Sequence, residues 1–342
     1  MKILVTANHV PFMPGGADAH AQGLVAALQA HGHQVELLRF PFRFEPPAAI
    51  EALMRHCEQQ DLSAPNGANI DRVISLQFPG YGVQHPEQVV WLMHQHRAAY
   101  ELFNPATATD AEQRLAGRIR EYDNRVLPRA RALFANSARV AERLGKNNKL
   151  SAKPLHHPPP GVERLQGGDS WGYIFCPSRL ETLKRQWLLI EAAACLDGDV
   201  PILIAGEGGQ RPQLQRLIDR HGLGRRVRLL GRVSEAEKRR LYAHALAVFF
   251  GPQDEDYGYV TLEAMAAGRP VITCKDSGGV LGFVEDGVTG VVVEPHADAV
   301  AASLAAYAAD PARAARHGAA GYQAWQTLDL SWHRVVETLL AA

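Results

Sequence analysis

Pro252-Gln-Asp-Glu-Asp-Tyr-Gly-Tyr-Val-Thr-Leu-Glu-Ala-Met-Ala-Ala-Gly-Arg-Pro-Val-Ile272 decides how this chain is read. It starts just after the apolar run Ala245-Leu-Ala-Val-Phe-Phe250, which has the length of a buried strand, and ends in a second apolar run, Pro270-Val-Ile-Thr273. Between them an acidic, glycine-containing loop leads into a helix-forming segment. Strand, loop, helix, strand is the unit from which parallel α/β sheets are built. It puts Glu255 in the loop and Glu263 in the first turns of the helix, with seven residues between them. Both carboxylates then stand at the C-terminal edge of a parallel sheet, where open α/β folds bind ligands.

The loop at Tyr257-Gly258-Tyr259 opens the helix, so its first amides lack intrahelical acceptors and favour an anion such as a phosphate. Glu263 can accept hydrogen bonds from the vicinal hydroxyls of a ribose, and Glu255 from a second sugar. The plainer account makes Glu255 a solvated loop acid and Glu263 a partner of the helix N-terminal dipole. The block Glu255-Asp-Tyr-Gly-x-x-x-Leu-Glu-Ala-Met-Ala-x-Gly-x-Pro-Val271 resembles the Glu-x7-Glu motif of retaining glycosyltransferases of the GT-B fold, family 4, the family of sucrose and glycogen synthases and of lipopolysaccharide and capsule transferases. The resemblance implies that Glu263 holds the nucleotide ribose, that Glu255 touches the transferred sugar, and that the amides around Tyr257, Gly258 and Tyr259 meet sugar and phosphate. Val260 stands where the family usually has proline, which implies a looser helix start.

A chain of 342 residues is long enough for two domains. Its 36 basic and 36 acidic residues balance, so no overall field draws it to nucleic acid. Cys57, Cys176, Cys195 and Cys274 lie in apolar segments without metal-ligand spacing and read as reduced core thiols of a cytoplasmic protein. No run approaches a transmembrane helix, and Met1-Lys-Ile-Leu-Val5 is too short for a signal peptide, so any membrane contact is expected to be peripheral.

From the start, Ile3–Ala7 reads as a strand, Ala17–His31 as a helix with Ala21, Leu24, Val25 and Leu28 on one face, and Gln34–Leu38 as the next strand. Gly15-Gly16 permits close backbone approach just before that helix. Taken alone the pair reads as a plain turn; the resemblance implies a loop facing the donor diphosphate and the acceptor. Arg72–Leu76 and Val89–Met93 read as further strands, the second running directly into His94-Gln-His96. The resemblance implies a sugar contact for the histidine at this strand end. His94 aligns best with it, with His96 as a competitor and a surface histidine as the plain alternative for both. Residues 114–153 are rich in Arg and Lys, from Arg118 and Arg120 to Lys146 and Lys149. Solvated helix faces are the ordinary account; the sharper one is a basic surface for anionic lipid headgroups or a lipid-diphosphate acceptor.

Ala132–Asn136 reads as a strand with Ser137 capping the helix after it. Pro158-Pro-Pro-Gly161, followed by Gly167-Gly168, forbids regular structure and marks a linker. The expected domains are 1–165, 166–325, and a terminal helix in 326–342 that crosses back onto the first domain with Trp332 as its anchor.

The second half opens with the strand Tyr173-Ile-Phe-Cys176 and at once gives Ser178-Arg-Leu-Glu-Thr-Leu-Lys184. Arg179, a planar fork, and Lys184, a mobile point charge, can meet on one diphosphate. A rim salt bridge is the plain alternative; the resemblance implies that both neutralise the departing nucleotide diphosphate. After the strand Pro201–Ala205, Gly206 and Gly208 allow close approach to the donor. After Val227–Leu230, the resemblance places the nucleobase against the backbone near Val233.

Strand–helix alternation in both halves predicts an α/β protein, and the resemblance implies the GT-B arrangement of two Rossmann-like domains facing a central cleft. The implied activity is retaining transfer of a hexose from a UDP- or GDP-sugar to a carbohydrate or lipid-linked acceptor hydroxyl, in glycan, polysaccharide or glycolipid biosynthesis. Asp254-Glu-Asp256 looks like the Asp-x-Asp metal motif of the other glycosyltransferase fold, but it lies inside the Glu-x7-Glu block, so no Mn²⁺ or Mg²⁺ site is expected. A sugar-nucleotide epimerase or hydrolase would use the same diphosphate grip without an acceptor. A non-catalytic sugar-nucleotide-binding subunit is the third class, and the presence of Arg179, Lys184, Glu255 and Glu263 together argues against it.

Overall fold

The computed structural model describes residues 1–12 and 15–342, and the chain in it forms two units, Met1–Pro160 with Leu330–Ala342, and Gly161–Asp329. Met13 and Pro14, from the expected turn after the first strand, lie outside the described residues.

The first unit runs β1 (Lys2–His9), α1 (Gly16–Ala30), β2 (Gln34–Pro41), α2 (Pro47–Gln59), β3 (Arg72–Ser75), β4 (Gln88–Leu92), α3 (Asp110–Val126), β5 (Ala132–Ala135), α4 (Ala138–Asn148) and the short β6 (Lys153–Pro154). The strands pair in the order β2-β1-β3-β4-β5-β6, every pair parallel. Parallel neighbours require crossovers, and the helices supply them. Because both faces of such a sheet are covered, β3 and β4 are buried along their whole length, including the polar Arg72, Ser75 and Gln88 at their ends. Ser137 caps α4 by accepting from the Val140 amide at 3.2 Å. The sequence reading gave no element for α2, which begins behind Pro46-Pro47. A proline at the first helical position has no N–H to lose, so the pair that looks like a breaker is a helix start.

The C-terminal helix, Trp332–Ala341, belongs to this unit. Its Val335, Val336 and Leu339 share a core with Leu24 and Leu28 of α1. Trp332 packs against Gly23, where the indole fills the space a Cβ would need. Beneath it His20, 2 % exposed, stacks on His157 (ring centroids 4.1 Å, 13° between planes) and meets the edge of Trp91 at 4.1 Å. Burial lowers the His20 pKa to about 3 and also carries His157 well below its ordinary value.

Between about pH 6.5 and 3 the unfolded chain therefore binds protons at these rings that the folded chain refuses, so stability is intact above the ordinary histidine value and falls as the solution is acidified. Asp123 works in the opposite sense. Fully buried, its carboxyl is raised to about 6, which favours the folded state below the ordinary carboxylate value and is lost as pH rises through 6. Three histidines, these two and His96, whose pKa is lowered to about 4, outweigh one aspartate. The urea midpoint is expected to correspond to about 4 kcal/mol less stability at pH 5 than at pH 7.5; a higher midpoint at pH 5 would show that Asp123 dominates.

The second unit runs β7 (Tyr173–Pro177), α5 (Gln186–Ala194), β8 (Ile202–Ala205), α6 (Arg211–Arg220), β9 (Val227–Gly231), α7 (Glu235–His244), β10 (Ala245–Phe249), α8 (Tyr259–Ala266), β11 (Val271–Cys274), β12 (Gly290–Val293), α9 (Ala297–Ala309) and α10 (Pro311–Thr327). Its strands, again parallel, order as β12-β11-β10-β7-β8-β9. The chain moves outward from β7 through β8 to β9, then returns to β10 on the other side of β7. The strand order thus reverses between β7 and β10, and the carboxyl ends of those two strands flank the crevice where such sheets take ligands. Alternate residues of β7 pack on opposite faces: Ile174 and Cys176 with α5 and α9, Tyr173 and Phe175 with Tyr242 and α8. α8 is buried from Thr261 to Ala266, which explains why it is apolar on all sides.

One expectation needs correction and a second is narrowed. Cys57, Cys176 and Cys274 are buried free thiols, but Cys195 is exposed, because it caps the C-terminus of α5 where the helix reaches solvent. The basic stretch 114–153 does not present a bare positive face. Arg118 pairs with Glu51, Arg125 and Arg129 with Glu58, Arg131 with Glu87, Arg139 with Glu142, and Arg143 with Glu101. Most of those acids come from outside the stretch, so the fold offsets part of the excess of charge that the sequence window shows. No helix among the described residues is long and apolar enough to cross a membrane.

Candidate functional site

Three loops leave the C-terminal ends of neighbouring strands of the second unit, after β7, β10 and β11, and their backbones are tied together. The Gln253 amide donates to the Leu183 carbonyl at 2.7 Å, joining the first two loops. The amides of Asp254 and Glu255 donate to Asp276 and Ser277 at 2.8 and 3.1 Å, and Gly279 donates back to Glu255 at 2.7 Å, joining the last two. One side chain locks the assembly. Arg185, buried and in the left-handed region at φ +52°, donates through Nε to Gly251 O and through Nη2 to Pro252 O, each at 2.8 Å, and grips both oxygens of Asp276 at 2.8 and 2.6 Å. The sequence reading passed over Arg185 as the first residue of a helix; nothing in its local pattern announces a partner so far along the chain.

This frame brings Lys184 and Glu255 together. The ammonium lies 2.5 Å from Glu255 Oε2 and 5.5 Å from the centre of the Phe250 ring, with both charged side chains about four-fifths buried, at 18 % and 19 % exposure. Arg179, five residues earlier, is exposed, and its guanidinium makes no hydrogen bond or ion pair among the described residues. Its backbone is pinned: buried Gln186 donates to the Arg179 carbonyl at 2.9 Å and to Ser178 Oγ at 2.6 Å. The local result is a fixed loop with a held cation and a free one.

Gly206 and Gly208, at φ +137° and +156°, serve a different neighbour from the one expected. The spaces their Cβ atoms would occupy are filled by the carbonyls of Ser178 and Leu180. The Leu180 amide donates to Glu207 O at 2.9 Å, and the Gln210 amide to Leu180 O at 3.0 Å. Here the glycines let the β8 loop back up the Arg179 loop rather than leave room above it. Val233 sits at the end of the edge strand, just ahead of α7, and packs partly buried against the second face of the core.

Gly258, at φ +92°, opens α8 and supplies no side-chain cap itself, and the helix presents its amino end beside the Glu255 loop. Tyr257 is buried, its ring 5.5 Å from Tyr259 and 5.7 Å from Phe283. Glu263 lies deeper than the sequence suggested, at 6 % exposure and one turn into α8. Its Oε2 accepts from the Tyr242 hydroxyl at 2.6 Å and its Oε1 from Lys238 Nζ at 3.1 Å. Lys238 and Tyr242 were missed, although their four-residue spacing on one helix was the signal that both face the same neighbour.

In the first unit Gly15 and Gly16 stand at the start of α1, and His94 and His96 follow the C-terminal end of β4. Gly15 is extended at φ −167° and nothing lies within 4 Å of where its Cβ would be, so the fold itself does not demand glycine there. Its amide already has an anion of the chain's own: Asp18 Oδ2 at 3.3 Å, with Asp18 Oδ1 held by Arg39 at 2.7 Å. Gly16 is the first residue of α1. His94 is half-buried, with Nδ1 2.7 Å from the Gln95 carbonyl. His96 packs against Phe78 and Phe42 (centroids 5.2 and 6.0 Å) and is pushed down to about 4, first by burial and then by His94, so it is neutral at physiological pH. Between them the buried Gln95 is held from both ends, donating to Asn148 at 2.6 Å and accepting from Asn147 at 3.0 Å.

Residues 169–324 match the family model described as "Glycosyl transferases group 1". The match takes in a little under half of this chain. The D-inositol 3-phosphate glycosyltransferase of Geodermatophilus obscurus is 30 % identical over 251 residues, 64 % of this chain and 54 % of that protein, so the chain spans about half the length of this curated relative. Among solved structures, sucrose-phosphate synthase from Thermosynechococcus elongatus aligns with a TM-score of 0.80 at 18 % identity, and Anabaena HepE in complex with UDP and glucose with 0.72 at 20 %; both alignments cover 100 % of each chain. Identities this low speak for the fold alone, which is GT-B, of α/β class with two parallel six-stranded sheets. Within the group 1 segment lie Arg179, Lys184, Glu255 and Glu263, the residues on which the reading of the chain turns.

Proposed function

We propose that this protein is a retaining glycosyltransferase that moves a hexose from a nucleoside-diphosphate sugar to an acceptor hydroxyl in the synthesis of a glycan, polysaccharide or glycolipid. The observation that carries the reading is the Lys184–Glu255 contact at the point where the strand order reverses, with Arg179 unpaired among the described residues on the same loop and the amino end of α8 alongside. A diphosphate needs positive charge and amides; a hexose needs a carboxylate. All are supplied by adjacent loops.

In the proposed reaction Lys184 and Arg179 take up the charge that develops on the diphosphate as its bond to the anomeric carbon breaks. The acceptor oxygen forms its bond to that carbon from the same face, and the acceptor's proton passes to the departing phosphate oxygen. The anomeric configuration is retained without a covalent nucleophile. Glu255 orients the hexose, Glu263 the ribose, and His94 is assigned a contact with the transferred sugar. The two cations and the helix amides stand in for the divalent ion that other glycosyltransferases recruit, and the proposed reaction is metal-independent.

The test combines binding and turnover. Thermal denaturation with UDP-, GDP- and ADP-sugars is expected to show one nucleotide class raising the midpoint, and that donor, incubated with candidate acceptors, is expected to yield a glycoside at a rate unchanged by EDTA. Donor consumed with no glycoside formed would favour an epimerase or hydrolase; loss of turnover on chelation, restored by Mn²⁺ or Mg²⁺, would overturn metal independence.

A further inference from the structure

A buried carboxylate that is to receive a ligand must first be kept in place and kept charged. Glu263 has one polar partner on each oxygen, and the two partners differ in kind. Tyr242, completely buried, gives a neutral hydroxyl to Oε2 at 2.6 Å, and Lys238 gives an ammonium to Oε1 at 3.1 Å. Burial, reinforced by the carboxylate beside it, raises the Tyr242 hydroxyl well above its ordinary value, so it remains a donor. Burial alone would lower Lys238; the carboxylates of Glu263 and Glu235 outweigh it and hold the ammonium charged. Each carboxylate oxygen accepts two hydrogen bonds, so one site on each is left over. Two acceptor sites, one per oxygen, match a vicinal diol.

From this geometry we propose that Tyr242 and Lys238 are positioning residues that set the plane and charge of the Glu263 carboxylate so that it accepts both ribose hydroxyls of the nucleotide donor. The inference rests on the glycosyltransferase reading and deepens it. Neither residue touches the reacting atoms. Tyr242 fixes the rotation of the carboxylate from below, since its own ring is locked edge-on against Phe175 at 5.1 Å. Lys238, from one turn earlier on α7, offsets a negative charge that burial would otherwise make costly.

The test separates positioning from scaffolding by asking about the diol alone. Binding of UDP, GDP and ADP is measured by calorimetry, and whichever nucleotide binds is compared with its 2′,3′-dideoxy form, in the intact chain and in Tyr242→Phe and Lys238→Met. The intact protein is expected to prefer the ribose form by at least about tenfold, the worth of hydrogen bonds to a charged acceptor. Each variant is expected to compress that preference to about two- to threefold while dideoxy affinity holds. A variant that weakens both forms alike, or leaves the preference whole, overturns the positioning role. Lys238 lies near the surface, so Lys238→Met keeps the test decisive if Tyr242→Phe folds poorly. An intact protein that binds a diphosphate without regard to its ribose removes the role of Glu263 and this inference, leaving the transferase reading standing. One that binds none of the three takes down both.

Discussion

Replacing Lys184 with methionine should lower kcat by at least about a hundredfold, because a preorganised charge aimed at the leaving group is among the largest single contributions an active site makes. Methionine keeps the length and the apolar stem over Phe250, 5.5 Å from the ammonium in the native chain, and removes only the charge. The same change breaks the 2.5 Å contact with Glu255, so the two residues should not act independently. Glu255→Gln alone is expected to reduce turnover strongly. The double variant should then be less impaired than the product of the two single losses, since each single change leaves a largely buried charge unpaired. Steady-state rates for the four proteins with the donor selected by binding decide the matter. A Lys184→Met enzyme within a few-fold of native turnover would remove the cation from the mechanism, and strict additivity would show that the observed pair has no part in it.

The second large effect is expected on stability. Arg185→Met should lower the unfolding free energy of the second unit by about 2 to 4 kcal/mol, as carbonyls and a carboxylate lose donors that water reaches poorly. Asp276 is 44 % exposed and can rehydrate, which keeps the loss below that of a wholly buried ion pair. Backbone strain does not confuse the comparison, because methionine in the left-handed region at φ +52° is no better or worse off than arginine. Arg185→Lys should recover little, since one ammonium cannot reproduce a planar fork serving two carbonyls and a carboxylate. Urea unfolding followed by circular dichroism gives the number. Turnover should fall as well, because the clamp holds the chain that ends in Glu255; a native urea midpoint in Arg185→Met would show that the backbone ties between the loops suffice without it.

Much of the fold was legible from local pattern. Apolar runs such as Val89–Met93 and Ala245–Phe250 could be read as strands because a strand inside a parallel sheet is apolar on both faces, a property of the residues themselves. Alternation with helical segments then gave the α/β class. α2 escaped because its first turn is written in prolines. The ion pairs of the basic stretch 114–153 were hidden for a related reason: the counter-ions Glu51, Glu58 and Glu87 come from outside the stretch that was weighed. In the site, the loops carrying Arg179, Lys184, Glu255 and Glu263 could be named in advance, but the partners of those side chains could not.

The sequence by itself determined which segments are strands and helices, and that acids and cations fall in loops at strand exits, since periodicity and capping act over a few residues at a time. Only the tertiary structure decided that Lys184 meets Glu255, 71 residues on, that Arg185 clasps Asp276 across 91, and that Tyr242 and Lys238 hold Glu263. Those contacts depend on β10 lying beside β7 rather than beyond β9, and that order is set by how crossover helices pack on the two faces of the sheet. A short-range pattern carries no record of that choice.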